Sequence, residues 1–160
     1  MASGEFLVLL KQEQGLCYQT NHYYFKILTE VSLFRIGRVT EGLLVDIADQ
    51  VDIIEPVVKF TNVLQGKSGV RNIFNIGLEE WQPLQETQYD LVWAQWCVGY
   101  LTDKQLVQHL ERCKEALVQD SGIIVIKENL STSGQDYFDP SDSSITRYDP
   151  ITSIKNSRLG

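Results

Sequence analysis

Residues 89–129 read YDLVWAQWCVGYLTDKQLVQHLERCKEALVQDSGIIVIKEN, two short apolar runs with a helical segment between them. The runs YDLVWAQW and SGIIVIKEN are rich in β-branched and aromatic residues, the pattern of buried strands. Between them Leu106, Leu110, Cys113 and Leu117 recur at helical spacing. Thr102 followed by Gln105 makes a capping box that opens this helix, and Gly122 lies in the turn beyond it. Buried strand, helix and buried strand in this order predict parallel pairing through a right-handed crossover. Upstream the alternation continues. VRNIFNIGL reads as a strand, VVKFTNVLQ as a helix entered through Pro56 and stopped before Gly66, and QVDIIEP as another strand. TEGLLVDIAD reads as a short amphipathic helix with Val39, Leu43, Leu44 and Ile47 on its apolar face. The expected fold is α/β, an open, doubly wound, mostly parallel sheet. The first 35 residues show no clean periodicity, and the segment after Asn129 is polar, with Ser and Asp-Pro steps that suit a loop or tail.

The whole chain has 160 residues, enough for one core, and its 43% hydrophobic content excludes wholesale disorder. Lys and Arg number 14 against 21 Asp and Glu, a net charge of −7 that argues against a nucleic-acid binder. Cys17, Cys97 and Cys113 form no CxxC pair, which suits thiols in a reducing compartment. With only His22 and His109 besides, no metal site is expected. The FLVLL run near the N-terminus is too short for a signal peptide, and no run approaches a membrane span. The expectation is a soluble, cytoplasmic protein, with the nucleus as a further location.

In such a sheet, ligands bind at the carboxyl ends of the strands. Gly37 precedes the first readable helix and could admit close backbone approach, although a structural turn is the alternative. Glu55 closes its strand 18 residues later, where an acid commonly accepts the ribose hydroxyls of a nucleotide-like cofactor. A solvated strand-end acid is the bland alternative. Leu78 and Glu79 could flank an adenine. Gln95 and Trp96 place an amide and an aromatic face at a strand end, and Trp96 could cover a cation or simply pack. Asn129 ends the last strand, and Asp139 and Asp142 are the carboxylates of the loop that follows.

Residues 36–147 resemble the α-N-terminal protein methyltransferases, which methylate the exposed amine of X-Pro-Lys N-termini. The resemblance rests on IGRVTEGLL, VDIIEP, NIGLEEW, YDLVWAQWCVGYLTDKQL, LERCKEALVQDSGIIVIKEN and DPSDSSITR, in order and at family spacing. It implies a Rossmann-like class I methyltransferase sheet with S-adenosyl-L-methionine as cofactor. It implies that Gly37, Arg38, Glu55, Leu78, Glu79 and Gln95 line the cofactor site. Trp96, Asn129 and Asp142 would hold the substrate's N-terminus, with Asp142 and Asn129 as the catalytic pair and Asp142 accepting the amine proton. Tyr100, expected to bind substrate, stands where the family often has a histidine. The implied partners are proteins with X-Pro-Lys N-termini, and neither nucleic acid nor membrane; the chain is expected to be a monomer.

The segment Val31–Arg38 keeps only the last Gly and the Arg of the family's Asp-x-Gly-x-Gly-x-Gly-Arg cofactor loop. The reading divides the chain into a divergent segment 1–35, a methyltransferase core 36–130 and a polar loop and tail 131–160. It expects an incomplete sheet, with GIIVIK as an unpaired edge, cleavage after Asn129 and a loosely held Asp142. A catalytically inactive, methyltransferase-like protein-binding module is the alternative from a different class. A nicotinamide oxidoreductase shares the strand-end acid, but the chain has no Gly-x-Gly-x-x-Gly.

Overall fold

The computed structural model describes residues 3–11, 26–31 and 44–149. Its strands are β1 (Ser3–Lys11), β2 (Lys26–Val31), β3 (Gln50–Ile54), β4 (Val70–Phe74), β5 (Leu91–Gln95), β6 (Ile123–Ser131), β7 (Tyr137–Asp139) and β8 (Ser144–Thr146). The helices are α1 (Val45–Ile47), α2 (Val58–Thr61) and α3 (Asp103–Glu115). Six strands form one sheet in the order β1-β6-β5-β2-β3-β4, with β7 and β8 paired separately. From β6 to β4 every pairing is parallel, and β1 alone runs antiparallel, against β6. The strand order reverses direction at β2, which has β3 on one side and β5 on the other. A crevice at the carboxyl ends is the consequence of such a reversal.

Strand alternation sends side chains to two cores. Val92 and Ala94 of β5, Ile124 and Ile126 of β6 and Ile54 of β3 join Leu106, Leu110 and Cys113 of α3 on one face. Ile27, Val51 and Ile53 join Leu44, Ala48 and Leu64 on the other, with Leu91 and Trp93 against them. Both faces are covered, so these strands read as continuous apolar runs. Asp52 is the exception inside β3. It is buried and accepts from Arg71, from Asn72 and from the Tyr89 hydroxyl at 2.7 Å, joining three neighbouring segments. The α3 capping box is present as expected, with Thr102 Oγ1 accepting from Gln105 N and Gln105 Oε1 accepting from Thr102 N.

Three expectations are corrected. The edge of β6 is not open, because β1 pairs with it from Ser3↔Ser131 to Lys11↔Ile123. The apolar FLVLL run is thus a strand, and β1 and β2 bring parts of the segment 1–35 into the same sheet as the core. Residues 137–146 are a hairpin rather than a featureless loop. Its Asp and Ser residues hold the turn: Asp139 Oδ1 accepts from Ser141 N at 2.9 Å, Asp142 Oδ1 from Ser144 N at 2.9 Å, and Ser143 takes a positive φ of 63°. Of the helix expected over residues 40–49, the described part runs from Val45 to Ile47 and ends in extended backbone at Ala48. Leu44 is buried as expected, but Ile47 is exposed. Val39 and Leu43 lie outside the described residues.

Candidate active site

A cavity of about 350 Å³ opens at the carboxyl ends of β3, β4 and β5, and its walls include Glu55, Gly77, Leu78, Glu79, Cys97 and Tyr100. Glu55 follows the last residue of β3 and is 2% exposed. Its Oε1 accepts from Val57 N at 2.8 Å, while its buried Oε2 has no hydrogen-bond partner. Burial pushes this carboxyl above its ordinary value, and the Val57 N–H opposes the rise. A buried acceptor left unsatisfied costs roughly 1–3 kcal/mol. At a cavity wall, that cost is recovered when a hydroxyl-bearing ligand donates to Oε2.

Leu78 is buried and Glu79 exposed on the loop after β4. Helix α3 holds this loop. Arg112 Nη2 donates to the carbonyls of Leu78 at 3.0 Å and Glu79 at 3.2 Å, and His109 Nδ1 lies 3.0 Å from the Leu78 carbonyl. His109 Nε2 is in turn 3.3 Å from the Cys113 thiol. The helix read from sequence by its core stripe therefore also fixes one wall of the cavity, through Arg112 and His109 beside that stripe.

On the third wall, Tyr100 ends a 3-10 turn, Val98–Tyr100, that follows β5. Its hydroxyl donates to Asp142 Oδ2 at 3.3 Å, which brings together two site residues 42 positions apart. Asp142 is fully exposed, and hydrogen bonds from Ser144, then from Tyr100, lower its carboxyl below the ordinary value. Its hairpin is firmly tied down, against expectation. Arg147, just beyond β8 and 4% exposed, donates to the carbonyls of Val98 (3.1 Å) and Leu101 (2.6 Å) and pairs with Asp103 at 3.0 Å. The Arg147 carbonyl accepts from Ser131 N at 2.9 Å.

Glu55, Leu78, Glu79 and Tyr100 thus line the cavity, and Asp142 joins through Tyr100. Gln95, expected in the cofactor lining, is not part of it. The period of β5 sends its side chain to the face of Trp93, whose Nε1 donates to Gln95 Oε1 at 3.2 Å. Trp96, at a φ of 55°, is not part of the lining either, and the Lys127 ammonium lies 5.1 Å from its ring centroid. The cation over this indole is the chain's own Lys127. Asn129 is exposed on β6 beyond the end of β5, in register with Glu5. Gly37 and Arg38 lie outside the described residues.

Two residues were missed in the sequence. Glu128 shares the β6 face of Ile124 and Ile126 by alternation, and a carboxylate in that register was a legible signal. It accepts from Val98 N at 2.9 Å, and burial raises it to about 7. Arg147 closes the DPSDSSITR segment, but nothing in its local pattern shows that it is buried.

A parallel sheet reversing at β2, with an unsatisfied buried acid where β3 ends, defines a Rossmann-like class I methyltransferase domain. A solved SAM-dependent methyltransferase from Leishmania major superposes with a TM-score of 0.71 at 29% identity, covering 86% of this chain and 56% of that one. The chain belongs to the family of AdoMet-dependent proline di-methyltransferases, whose pattern matches residues 1–157. It is 46% identical over 114 residues to alpha N-terminal protein methyltransferase 1 of Schizosaccharomyces pombe. It is 41% identical over 117 residues to the human N-terminal Xaa-Pro-Lys N-methyltransferase 1. Each alignment takes in 70% of this chain and 51% of the relative. The chain spans about half the length of the curated relatives it matches.

Proposed function

We propose that this chain binds S-adenosyl-L-methionine in the cavity and methylates the α-amine of protein N-termini of X-Pro-Lys type. The observation that carries the reading is Glu55 Oε2, a buried acceptor without a partner at the strand end where a ribose is held in folds of this kind. The residues present fit the cofactor: Glu55 would take the ribose hydroxyls, and Leu78 and Glu79 the adenine. When bound, it supplies an electrophilic methyl group carried on a sulfonium.

The protein's own task is alignment and proton handling. An α-amine titrates near ~8, so a part of it is already neutral at physiological pH. Asp142, held in its ionised form, accepts or orients the proton of the rest. Tyr100 fixes the Asp142 carboxylate, and Trp96 with Asn129 receives the substrate's N-terminus. The net charge of −7 favours a basic substrate segment. We further take the protein to be a monomer acting in the cytoplasm and nucleus, without nucleic-acid or membrane partners.

The test pairs calorimetry with S-adenosylhomocysteine and methyl transfer to an X-Pro-Lys peptide, with its N-acetylated form as control. Saturable binding and methylation of the free peptide alone are expected. Absence of binding, or equal labelling of the blocked peptide, overturns the reading.

A further inference from the structure

The turn that carries Tyr100 is held from both ends by charged side chains, Arg147 buried and Glu128 half-buried. Glu128 reaches it from β6 and accepts from Val98 N at 2.9 Å, with further hydrogen bonds from the backbone N–H groups of Cys97 and Asn129. Arg147 reaches it from the hairpin and donates to the carbonyls of Val98 and Leu101. The acid takes the donors of the turn and the guanidinium takes its acceptors. The hairpin also presses directly on the turn. A Cβ built on Gly99 would stand 3.1 Å from the Ile145 carbonyl oxygen, so only glycine allows β8 this approach without displacement. The backbone from residue 97 to residue 101 thus has its place dictated by groups outside it.

We propose that Glu128 and Arg147 are positioning residues that clamp the Val98–Tyr100 turn and thereby place Tyr100 and Asp142 for proton handling at the substrate amine. This rests on the function proposed above. Neither residue is part of the cavity lining, so each acts through the turn. Both ends of the clamp depend on charge. A carboxylate accepts N–H groups more strongly than a neutral carboxyl does, so the turn is held tightest when Glu128 is ionised. The charged group acting on Glu128 is Arg147, with Asp103 of α3 paired to it, and Lys127 precedes Glu128 on β6. Strand β5 ends there in the uncharged Gln95, and the turn itself contributes Tyr100.

Two readouts test the clamp in the full chain. In protein carrying ¹³Cζ-labelled tyrosine, the Tyr100 signal, identified by its loss in Tyr100→Phe, should move with pH about a midpoint near 7, where Glu128 titrates. Asp142 titrates far below that range and does not confuse it. Glu128→Gln should abolish this step. In the peptide assay, Glu128→Gln and Arg147→Lys should lower kcat by on the order of 10- to 100-fold, the scale of a displacement near 1 Å, while the affinity for S-adenosylhomocysteine falls far less. A Tyr100 signal that ignores pH between 5 and 9, or that titrates equally in Glu128→Gln, overturns the clamp. So does a variant losing cofactor affinity in step with kcat. If the wild-type chain methylates no peptide, the proposed function fails, and the tyrosine signal still decides whether the clamp exists.

Discussion

Glu55→Ala removes the acceptor assigned to the ribose and also relieves an unsatisfied buried carboxylate. The two effects act oppositely: binding of S-adenosylhomocysteine should weaken by about 1–3 kcal/mol, while the ligand-free protein should melt no lower than the parent. Calorimetry and thermal melts read these separately, and unchanged affinity would remove Glu55 from the site. Asp142→Asn keeps the shape of the turn and removes the proton acceptor, so methyl transfer to an X-Pro-Lys peptide should fall sharply; equal rates would show that Asp142 takes no part. Glu128 behaves differently, because burial raises its folded-state value from 4.5 to about 7. The folded chain therefore holds a proton that the unfolded chain has released. The contribution is full below about pH 4.5 and is lost as pH rises through about 7. Urea unfolding should show stability falling across this window by on the order of 3 kcal/mol, with the slope flattened in Glu128→Gln.

At the scale of elements, α3 connects packing to the site. Leu106, Leu110 and Cys113 bury its apolar stripe, and the same helix turns Arg112 and His109 toward the carbonyls of the loop after β4. Arg112→Met keeps most of the side-chain volume and deletes those donors. It should weaken S-adenosylhomocysteine binding by about 3- to 10-fold, the equivalent of one or two ordinary hydrogen bonds, with a smaller effect on stability; undiminished binding would show that the loop holds its own shape. The strands from β3 to β6, α3 and its capping box were legible in the sequence, because each carries its own periodicity or turn chemistry. Helix boundaries were less so: α2 and the 3-10 turn after it divide the segment read as one helix. Strands β1 and β2 were not legible. An edge strand and a short central one leave little pattern; β1 depends on a partner more than 100 residues away in the chain, and β2 sits between partners 24 and 64 residues on. Glu55 could be found because it closes a recognisable strand. Arg147 could not, since its burial is created by a turn and a helix distant in sequence.

The whole molecule turns on how its sheet is closed. One edge of the parallel array is β6, whose Ile123–Ile126 segment has high β-propensity and no charge, the composition that seeks another strand. Strand β1 satisfies it from within the chain through nine registered pairs. The chain's own N-terminal segment thus performs the protection that would otherwise come from a neighbour. β6 also supplies Glu128 to the clamp, and Ser131 at its end bonds to Arg147, so the edge and the site share one strand. Removing residues 1–11 should therefore have two linked outcomes. The truncated chain should associate in a concentration-dependent way, seen by sedimentation velocity as growth beyond the monomer. Backbone amides of β6 should lose protection from hydrogen exchange at low concentration and regain it on association. A truncated chain that stays monomeric with the parent's melting temperature would show that β1 contributes little to closing the sheet. Loss of cofactor affinity without association would mean instead that β1 acts on the site through β6.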